Sequence, residues 1–130
     1  MEATISLGSN VTDRETRLAT AVAMLRRDFP GMEISGFYVT PALGNSTGSY
    51  LNAVAVLETE MDAETLNRYL KRLETALGRD AAARARGDVP ADFDIVMVDG
   101  VVVRPKDFAQ EFFQIGYRET LRKRKMPIAR

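Results

Sequence analysis

The chain has 130 residues, of which 45% are hydrophobic, and its 18 Lys and Arg balance its 18 Asp and Glu. This size and composition suit a single domain with one core, and the zero net charge gives no general attraction to nucleic acid or to a membrane surface. Because the chain contains no cysteine and no histidine, disulfide frameworks, zinc sites built on those residues, and Ser-His or Cys nucleophile mechanisms are excluded.

The first part of the chain predicts a strand, a turn and a helix. In ATISL, the residues Ala3, Ile5 and Leu7 share one face of a strand, and the GSN that follows predicts a turn. The segment TDRE at 12–15 is a capping box, and apolar residues at helical spacing continue from it to a stop at 30–31. The N-terminal segment has no signal-peptide pattern and no apolar run reaches membrane-spanning length, so we expect a cytoplasmic protein with no membrane partner.

The middle of the chain predicts an edge strand, a central strand and a second helix. MEISGFYVT changes phase at Ser35 and Gly36, which indicates a bend in an edge strand. YLNAVAVLET is apolar on both faces, as expected of a strand in the middle of a sheet. Asp62 can cap a second helix that ends near Gly78. The predicted buried stripe of this helix consists of Leu66, Tyr69, Leu70, Leu73 and Leu77.

The segment RDAAARARGDVP, residues 79–90, is basic and rich in small residues. We interpret it as a loop, and its functional role would be that of a mobile lid that grips phosphate. Its content of Ala and Arg also suits a solvated helical extension. The sequence leaves both interpretations open.

The last part of the chain predicts a hairpin and a final helix. PADFDIVMVDG, residues 90–100, is typical of a strand that ends in a tight DG turn, from which VVV returns. Asp107 with Gln110 predicts the cap of a last helix that carries Phe108. The basic tail at 117–130 has no structure that the sequence determines.

The order of these elements predicts an α+β fold. Strand, helix, strand, strand, helix, strand and a final hairpin with a helix match the split βαβ or ferredoxin-like plan. We expect a mainly antiparallel sheet, the first two helices on one of its faces, and the opposite face available for ligand. All of residues 1–130 would form one domain. Because this fold hosts unrelated functions, the chemistry must be argued from particular residues.

Two acids stand close together in the predicted strand at 90–100. Asp92 and Asp94 are two residues apart, so their carboxylates share one face. Like charges at this spacing repel unless one is protonated or a cation joins them, and Mg²⁺ is the usual partner of a small carboxylate cluster. Nearby arginines, Arg79, Arg84 and Arg86, would suit phosphate. The alternative is that Asp92 is a solvated strand entrance and Asp94 pairs with a loop arginine.

An aromatic ring and an amide share a face of the predicted central strand. Tyr50 and Asn52 are two residues apart, so together they could stack on and hydrogen-bond to a flat heterocycle. The alternative is a core tyrosine beside an asparagine that ties down a neighbouring loop. By residue type alone, Phe112 and Phe113 are expected in the core.

Five motifs occur in order between Ile5 and Gly100: ISLGSN, FYVTPALG, YLNAV, LETALGR and DFDIVMVDG. Together they resemble the 6-hydroxymethyl-7,8-dihydropterin pyrophosphokinase family of folate synthesis. The resemblance implies a ferredoxin-like enzyme that moves the terminal pyrophosphate of ATP onto the hydroxymethyl group of a reduced pterin and releases AMP. It also implies two Mg²⁺ ions that act with ATP.

The resemblance assigns roles to individual residues. The implied metal ligands are Asp92 and Asp94. The implied substrate-binding residues are Thr40, Leu43, Tyr50, Asn52 and, if one residue is deleted, Phe113. The implied nucleotide-binding residues are Glu74 and, where the family has a histidine, Lys106. Arg79 matches a basic residue that opens the catalytic loop, and we give it a catalytic role together with Arg84 and Arg86.

The chain also departs from the family pattern. Val89 stands where the family usually has an arginine, three residues before the first metal-binding acid, and Arg86 stands where an aromatic often precedes a loop glycine. RPKDFAQEFF replaces the PHP-like segment of the family, and the C-terminal region is shortened. These departures concern the phosphate clamp, while the metal and pterin residues are retained.

Three hypotheses follow from these patterns. The first is a short, divergent pyrophosphokinase in which other cations replace the missing ones. The second is a paralogue that binds a pterin or nucleotide without turnover. The third is a structural or regulatory ferredoxin-like module that pairs through its edge strand or its tail.

Overall fold

A computed structural model describes residues 1–44 and 48–125 of the chain. The elements in chain order are β1 (Glu2–Ser9), α1 (Arg14–Asp28), β2 (Glu33–Ile34), β3 (Tyr38–Pro41), β4 (Ser49–Glu58), α2 (Ala63–Ala76), α3 (Ala81–Arg86), β5 (Asp92–Val98), β6 (Val101–Val102), α4 (Pro105–Phe108) and α5 (Glu111–Lys125). In these described parts, no helix is both long and apolar enough to cross a membrane.

The strands form one antiparallel sheet. Its order is β2-β4-β1-β5-β6, and β3 continues beside β4 where β2 stops. The predicted phase change at Ser35 and Gly36 is this break between β2 and β3, both of which pair with β4. The apolar YLNAVAVLET strand is central, as predicted, because β1 lies on its other side. The predicted α+β ferredoxin-like fold is therefore confirmed.

The main core lies between the sheet and the helices α1 and α2. Ala3, Ile5 and Leu7 of β1 are buried in it, as their alternation predicted. Leu66 and Leu70 of α2 are fully buried against them. Asp62 caps α2 by accepting a hydrogen bond from the Thr65 N–H at 2.8 Å. The predicted stop is also present, because Gly78 takes the left-handed backbone conformation, with φ at 107°.

The opposite face of the sheet is only partly open. Helix α5 packs on β4, and Phe113 joins Val54, Val96 and Met97 in a second, smaller core. A bulge in β5 contributes to this core: Ile5 pairs with Ile95 but Thr4 pairs with Met97, so Val96 is the extra residue. The expectation of an open ligand face thus applies to the part that α5 leaves uncovered.

Two predicted helix caps are wrong. The carboxylate of Asp13, at the N-cap of α1, lies 3.1 Å from the Arg17 guanidinium, and no side chain caps the helix, so the box at 12–15 is not formed. Asp107 lies inside the short helix α4, where its carboxylate pairs with Arg104 at 2.6 Å. At Asp107, an ion pair within one helical turn takes the carboxylate that the pattern assigned to a cap.

The segment at 79–90 forms a short helix, as its alternative interpretation predicted. The Asp80 carboxylate caps α3 by accepting from the Ala83 N–H at 2.8 Å, and Gly87 ends the helix in the left-handed conformation. Asn10 holds the far end, because its side chain donates to the Gly87 carbonyl at 3.2 Å and accepts from the Val89 N–H at 2.6 Å. The segment is therefore joined to the end of β1.

The C-terminal part contains the predicted hairpin, and its last helix extends into the segment for which the sequence predicted no structure. Asp99 and Gly100 both have positive φ, at 48° and 79°, as a tight DG turn requires. Helix α5 continues through the first part of the basic tail to Lys125. Residues 126–130 of that tail lie outside the described residues.

Candidate functional site

A pocket of about 280 Å³ opens on the α5 face of the sheet. Its lining residues are Ser6, Leu7, Gly8, Thr40, Pro41, Ala42, Leu43, Tyr50, Asn52, Asp92, Asp107 and Phe112. Five residues singled out from the sequence, Thr40, Leu43, Tyr50, Asn52 and Asp92, are brought together here. The pocket joins an aromatic and amide wall to a carboxylate wall.

Strand register explains why residues distant in sequence meet in this pocket. Thr40 pairs with Tyr50 across β3 and β4. In the next strand over, Gly8 of β1 pairs with Asn52 on one side and with Asp92 on the other. A side chain at Gly8 would fill this space, because a Cβ there would lie 3.5 Å from the Tyr50 ring and 3.6 Å from Asn52 Oδ1. The absence of a side chain at Gly8 thus leaves open space between the two walls of the pocket.

The amide of Asn52 has its orientation fixed by its neighbours. Its Nδ2 donates to Thr40 Oγ1 at 2.8 Å and to the carbonyls of Tyr38 and Tyr50, both at 3.2 Å. Asn52 is buried, so these acceptors require the NH₂ group on their side. The other end of the amide, Oδ1, is left as an acceptor near Gly8. The amide thus ties β3 to β4 and can also accept from a ligand N–H.

Asp92 and Asp94 project from β5 on the same face of the sheet, as their spacing predicted. Asp92 Oδ1 lies 2.9 Å from Arg79 Nη1, and Asp94 Oδ1 lies 3.4 Å from Lys71 Nζ. Arg104 Nη1 approaches Asp94 Oδ1 at 4.0 Å. Within the described residues, the hydrogen bonds and ion pairs of both acids use Oδ1, so each Oδ2 is free to meet a ligand.

A buried glutamate forms ion pairs with both Lys71 and Arg79. Glu74 on α2 has a side chain only 4% exposed. Its Oε1 lies 3.1 Å from Arg79 Nη1, and its Oε2 lies 2.9 Å from Lys71 Nζ. The same Oε2 accepts from the Phe93 N–H at 2.8 Å, and Lys71 donates to the Phe93 carbonyl at 2.9 Å. The Glu74 and Lys71 side chains therefore satisfy the Phe93 N–H and carbonyl on the outer edge of β5.

The electrostatics of the acid pair disfavour two negative charges. Burial and the neighbouring charge of Asp94 raise the pKa of Asp92, although Arg79 opposes the rise. Burial alone would lower the pKa of Lys71, but its hydrogen bond to Glu74 and the charge of Asp94 raise it above the ordinary value. Lys71 is therefore a permanent cation, while Asp92 is an acid that gains from an added positive charge.

The donor set of the acid pair fits a magnesium ion that arrives with a phosphate ligand. In residues 1–44 and 48–125, no cluster of three acidic, histidine or cysteine side chains could hold a metal ion alone. Mg²⁺, however, is commonly bound through one or two carboxylates together with waters and substrate phosphates. The free Oδ2 atoms of Asp92 and Asp94 are oxygen ligands beside the pocket, so they meet this lower requirement.

The remaining predicted site residues lie outside the pocket. Phe113 is fully buried in the second core, where its ring stacks on Tyr117 at a centroid distance of 5.2 Å. Its neighbour Phe112 lines the pocket instead. Arg84 and Arg86 are exposed on α3, and Arg86 pairs with Asp88 at 2.9 Å. Lys106 is exposed on α4.

Besides Phe112, sequence reasoning missed Lys71, Arg104 and Asp107 as residues of the site. Lys71 lies three residues before Glu74 on α2, a spacing that places both on one helix face. Arg104 and Asp107 have the same spacing and form a pair at 2.6 Å that lies beside Asp94 and the pocket. In each case the spacing was visible in the sequence, but only the packing onto β5 shows what the pair faces.

Comparisons with known proteins show the family to which the chain is similar. A profile of the family described as 7,8-dihydro-6-hydroxymethylpterin-pyrophosphokinase matches residues 4–121. The chain is 34% identical over 96 residues to a 2-amino-4-hydroxy-6-hydroxymethyldihydropteridine pyrophosphokinase of Bacillus subtilis, a match that covers 72% of this chain and 57% of that protein. An enzyme of the same name from Porphyromonas gingivalis is 34% identical over 97 residues, covering 72% of this chain and 66% of that protein. One from Methylorubrum extorquens is 33% identical over 103 residues, covering 76% and 64%.

The length of the match has a consequence for the assignment of activity. The chain spans less than two-thirds of the length of these relatives. The matched part nevertheless contains the pocket and the acid pair, both of which lie within residues 4–121.

Proposed function

Since the chain belongs to the 7,8-dihydro-6-hydroxymethylpterin-pyrophosphokinase family, we propose that it transfers pyrophosphate from ATP to the hydroxymethyl group of a reduced pterin, a step of folate biosynthesis. In this reaction the hydroxymethyl oxygen forms a bond to the β-phosphorus of ATP, and the bond from that phosphorus to the α,β-bridging oxygen breaks. AMP leaves with the bridging oxygen, and the hydroxyl proton passes to solvent. The observation that carries the proposal is the pocket in which an amide and aromatic wall lies together with Asp92, the first of the two strand acids.

The pterin would occupy the aromatic and amide end of the pocket. Tyr50 and Phe112 offer ring faces for a flat heterocycle, while Asn52 Oδ1 can accept from a ring N–H. Thr40 and Leu43 complete this wall. Phe112 takes the aromatic role that the sequence assigned to Phe113.

The phosphates would lie at the carboxylate end. Asp92 and Asp94 would each offer one free oxygen to Mg²⁺, and the family resemblance implies two such ions. Bound Mg²⁺ would neutralise phosphate charge and orient the chain of phosphates for in-line displacement. The protein's own contribution is to hold both acids on one face of β5, which fixes where the phosphates meet the hydroxymethyl group.

Cations around this end would replace the clamp that the chain lacks. Arg79 and Arg104 lie beside the acids, and we add Arg104 to the catalytic residues predicted from the sequence. Arg84, Arg86 and Lys106 are exposed and would turn toward a bound nucleotide, for which Arg86 would leave its ion pair with Asp88. Glu74 acts on the nucleotide side through Arg79, because it is buried and holds that guanidinium.

A turnover assay tests the proposal. Protein incubated with ATP, Mg²⁺ and 6-hydroxymethyl-7,8-dihydropterin should release AMP in a one-to-one ratio with pyrophosphorylated pterin. An Asp94→Asn variant should release at least a hundredfold less, because it loses a charged ligand of the ion that stabilises the transition state. An Asp13→Asn variant, which removes an exposed carboxylate at the N-cap of α1, is the matched control. AMP release that is equal in the wild type and Asp94→Asn rejects the proposal.

One observation favours a second candidate, a protein that binds the pterin without turnover. Among the described residues, the lining of the pocket contains no Lys or Arg, and the cations next to the acids are already paired. Calorimetric titration separates the two functions. Saturable pterin binding without AMP release would establish the second candidate, and the absence of any pterin binding would exclude both.

A further inference from the structure

Lys71 occupies a position beside the acid pair that the proposed reaction does not explain. It reaches Asp94 from the outer edge of β5, where it also bonds the Phe93 carbonyl, and the lining of the pocket does not include it. Its three contacts are Glu74 at 2.9 Å, the Phe93 carbonyl at 2.9 Å and Asp94 at 3.4 Å. An ammonium group has three N–H donors, so these acceptors use its full capacity.

The arrangement around Glu74 has two parallel arms. One arm runs from Glu74 Oε1 through Arg79 to Asp92 Oδ1, and the other runs from Glu74 Oε2 through Lys71 to Asp94 Oδ1. Because Glu74 is buried and also accepts from the Phe93 N–H, it cannot turn away without leaving a polar group of the strand edge unsatisfied. Each cation is therefore fixed next to its acid before any ligand arrives.

A fixed cation at this place must affect a divalent ion. An ion bound to the free Oδ2 of Asp94 would lie a few ångströms from Lys71 Nζ, which cannot withdraw while Glu74 and Phe93 hold it. The two positive charges repel, and Lys71 also withholds the other carboxylate oxygen. The same ammonium group orients the Asp94 carboxylate through their contact at 3.4 Å, so it positions the ligand while lowering its affinity for metal.

We propose that Lys71 is a positioning residue that competes with the divalent ion for Asp94, so that the protein alone binds such ions weakly. Strong binding then requires the phosphates of a nucleotide, which supply further ligands and negative charge. This inference rests on the proposed function in so far as it takes Asp92 and Asp94 as the metal ligands. It goes beyond the proposed function because it concerns metal binding by the protein in the absence of nucleotide and pterin.

The test is Mn²⁺ binding to the ligand-free protein, measured by the paramagnetic resonance signal of free Mn²⁺. Lys71→Met keeps the length of the side chain and removes its charge. We expect Mn²⁺ to bind this variant about tenfold more tightly than the wild type, the effect of removing one unit charge near a divalent ion in a water-like dielectric. Lys71→Arg keeps the charge and should bind Mn²⁺ as weakly as the wild type.

Arg68→Met is the matched control. Arg68 lies one turn earlier on α2, pairs with Glu64 at 2.8 Å and is exposed, so this variant changes the net charge equally without touching the site. It should leave Mn²⁺ affinity within twofold of the wild type. If Lys71→Met fails to fold, Lys71→Gln takes its place, because the amide can still donate to the Phe93 carbonyl and the charge is still removed.

Each outcome decides the inference. Equal or weaker Mn²⁺ binding by the uncharged variants, or no binding by any of the proteins, overturns it. A lower melting temperature without tighter binding would show that Lys71 only closes the strand edge, which also overturns it. Because neither pterin nor ATP is present, tighter binding by Lys71→Met supports the inference even if the wild type releases no AMP.

Discussion

The carboxylate of Asp92 links the stability of the protein to the chemistry of the site. Burial and the charge of Asp94 raise the pKa of Asp92. A carboxyl group whose pKa is higher in the folded state favours folding most when it is protonated, at pH below the unfolded value. That contribution is lost as pH rises through the folded value, so the ionised group is a cost at neutral pH.

We therefore predict that Asp92→Asn stabilises the metal-free protein at pH 7. The gain should shrink as the pH falls toward about 4, the ordinary pKa of aspartate, because the wild-type side chain then becomes neutral as well. Urea unfolding of both proteins in EDTA across this pH range measures the difference. A variant that is less stable than the wild type at pH 7 would show that the Arg79 ion pair outweighs the repulsion.

The amide of Asn52 is a second residue whose chemistry is fixed by its surroundings. We predict that Asn52→Asp destabilises the fold by roughly 1–3 kcal/mol, the range for a buried polar group left without its partner. The new carboxylate would face the carbonyls of Tyr38 and Tyr50, which now accept from the amide. Denaturant unfolding measures this loss. Asn67→Asp, at an exposed position on α2, is the control and should change stability little.

At the level of elements, the docking of α5 depends on a glycine. A Cβ at Gly116 would lie 2.8 Å from Tyr38 Oη, 2.8 Å from Val54 Cγ2 and 2.9 Å from Ser35 Oγ. Glycine in a helix interior costs up to about 1 kcal/mol relative to alanine, yet here it allows the helix to approach β3 and β4 closely. Tyr38 then donates to the Phe112 carbonyl at 2.5 Å, next to the pocket.

Gly116→Ala should therefore destabilise the protein despite its better helix propensity. We expect a loss of roughly 1–3 kcal/mol, the usual cost of overpacking, together with weaker pterin binding because Phe112 moves with α5. Thermal unfolding and calorimetry report the two effects. Gly31→Ala, where a new Cβ meets nothing within 4 Å, should be close to neutral; equal effects of both substitutions would remove the role given to Gly116.

Strand alternation made much of the site predictable from the sequence. Asp92 with Asp94, and Tyr50 with Asn52, could be placed on common faces because side chains in a strand alternate with a period of two. The bulge at Val96 could not be predicted, since nothing in an apolar run marks the extra residue. Phe112 and Phe113 are chemically identical, so only the docking of α5 decides which ring lines the pocket.

The helical part of the site was harder to predict for an electrostatic reason. Lys71 interrupts no pattern on α2, and an isolated lysine on a helix is usually solvated. Its role arises from Glu74, which is buried against the strand edge and attracts two cations. Likewise, Asp107 was predicted to cap a helix because the sequence pattern does not show that its carboxylate pairs with Arg104 instead.

Over the whole molecule, zero net charge conceals a local concentration of acids. Asp92, Asp94, Glu74 and Asp107 lie together with Arg79, Lys71 and Arg104, so this region carries one more negative than positive charge. A single divalent ion would make the net charge of this region positive, and a nucleoside triphosphate would make it negative again. Metal and nucleotide should therefore bind more favourably together than either does alone.

This coupling predicts how the melting temperature responds to ligands. Mg²⁺ alone should raise it slightly, because Lys71 and Arg79 already occupy an oxygen of each acid, whereas Mg²⁺ with a nonhydrolysable ATP analogue should raise it by several degrees. Ligands at a hundredfold excess over Kd add roughly 2.7 kcal/mol to the free energy of unfolding. Differential scanning fluorimetry at constant ionic strength, set with NaCl, measures both shifts. The Asp92→Asn, Asp94→Asn double variant should lose the combined shift, and a shift that survives in it would place the ligands elsewhere on the protein.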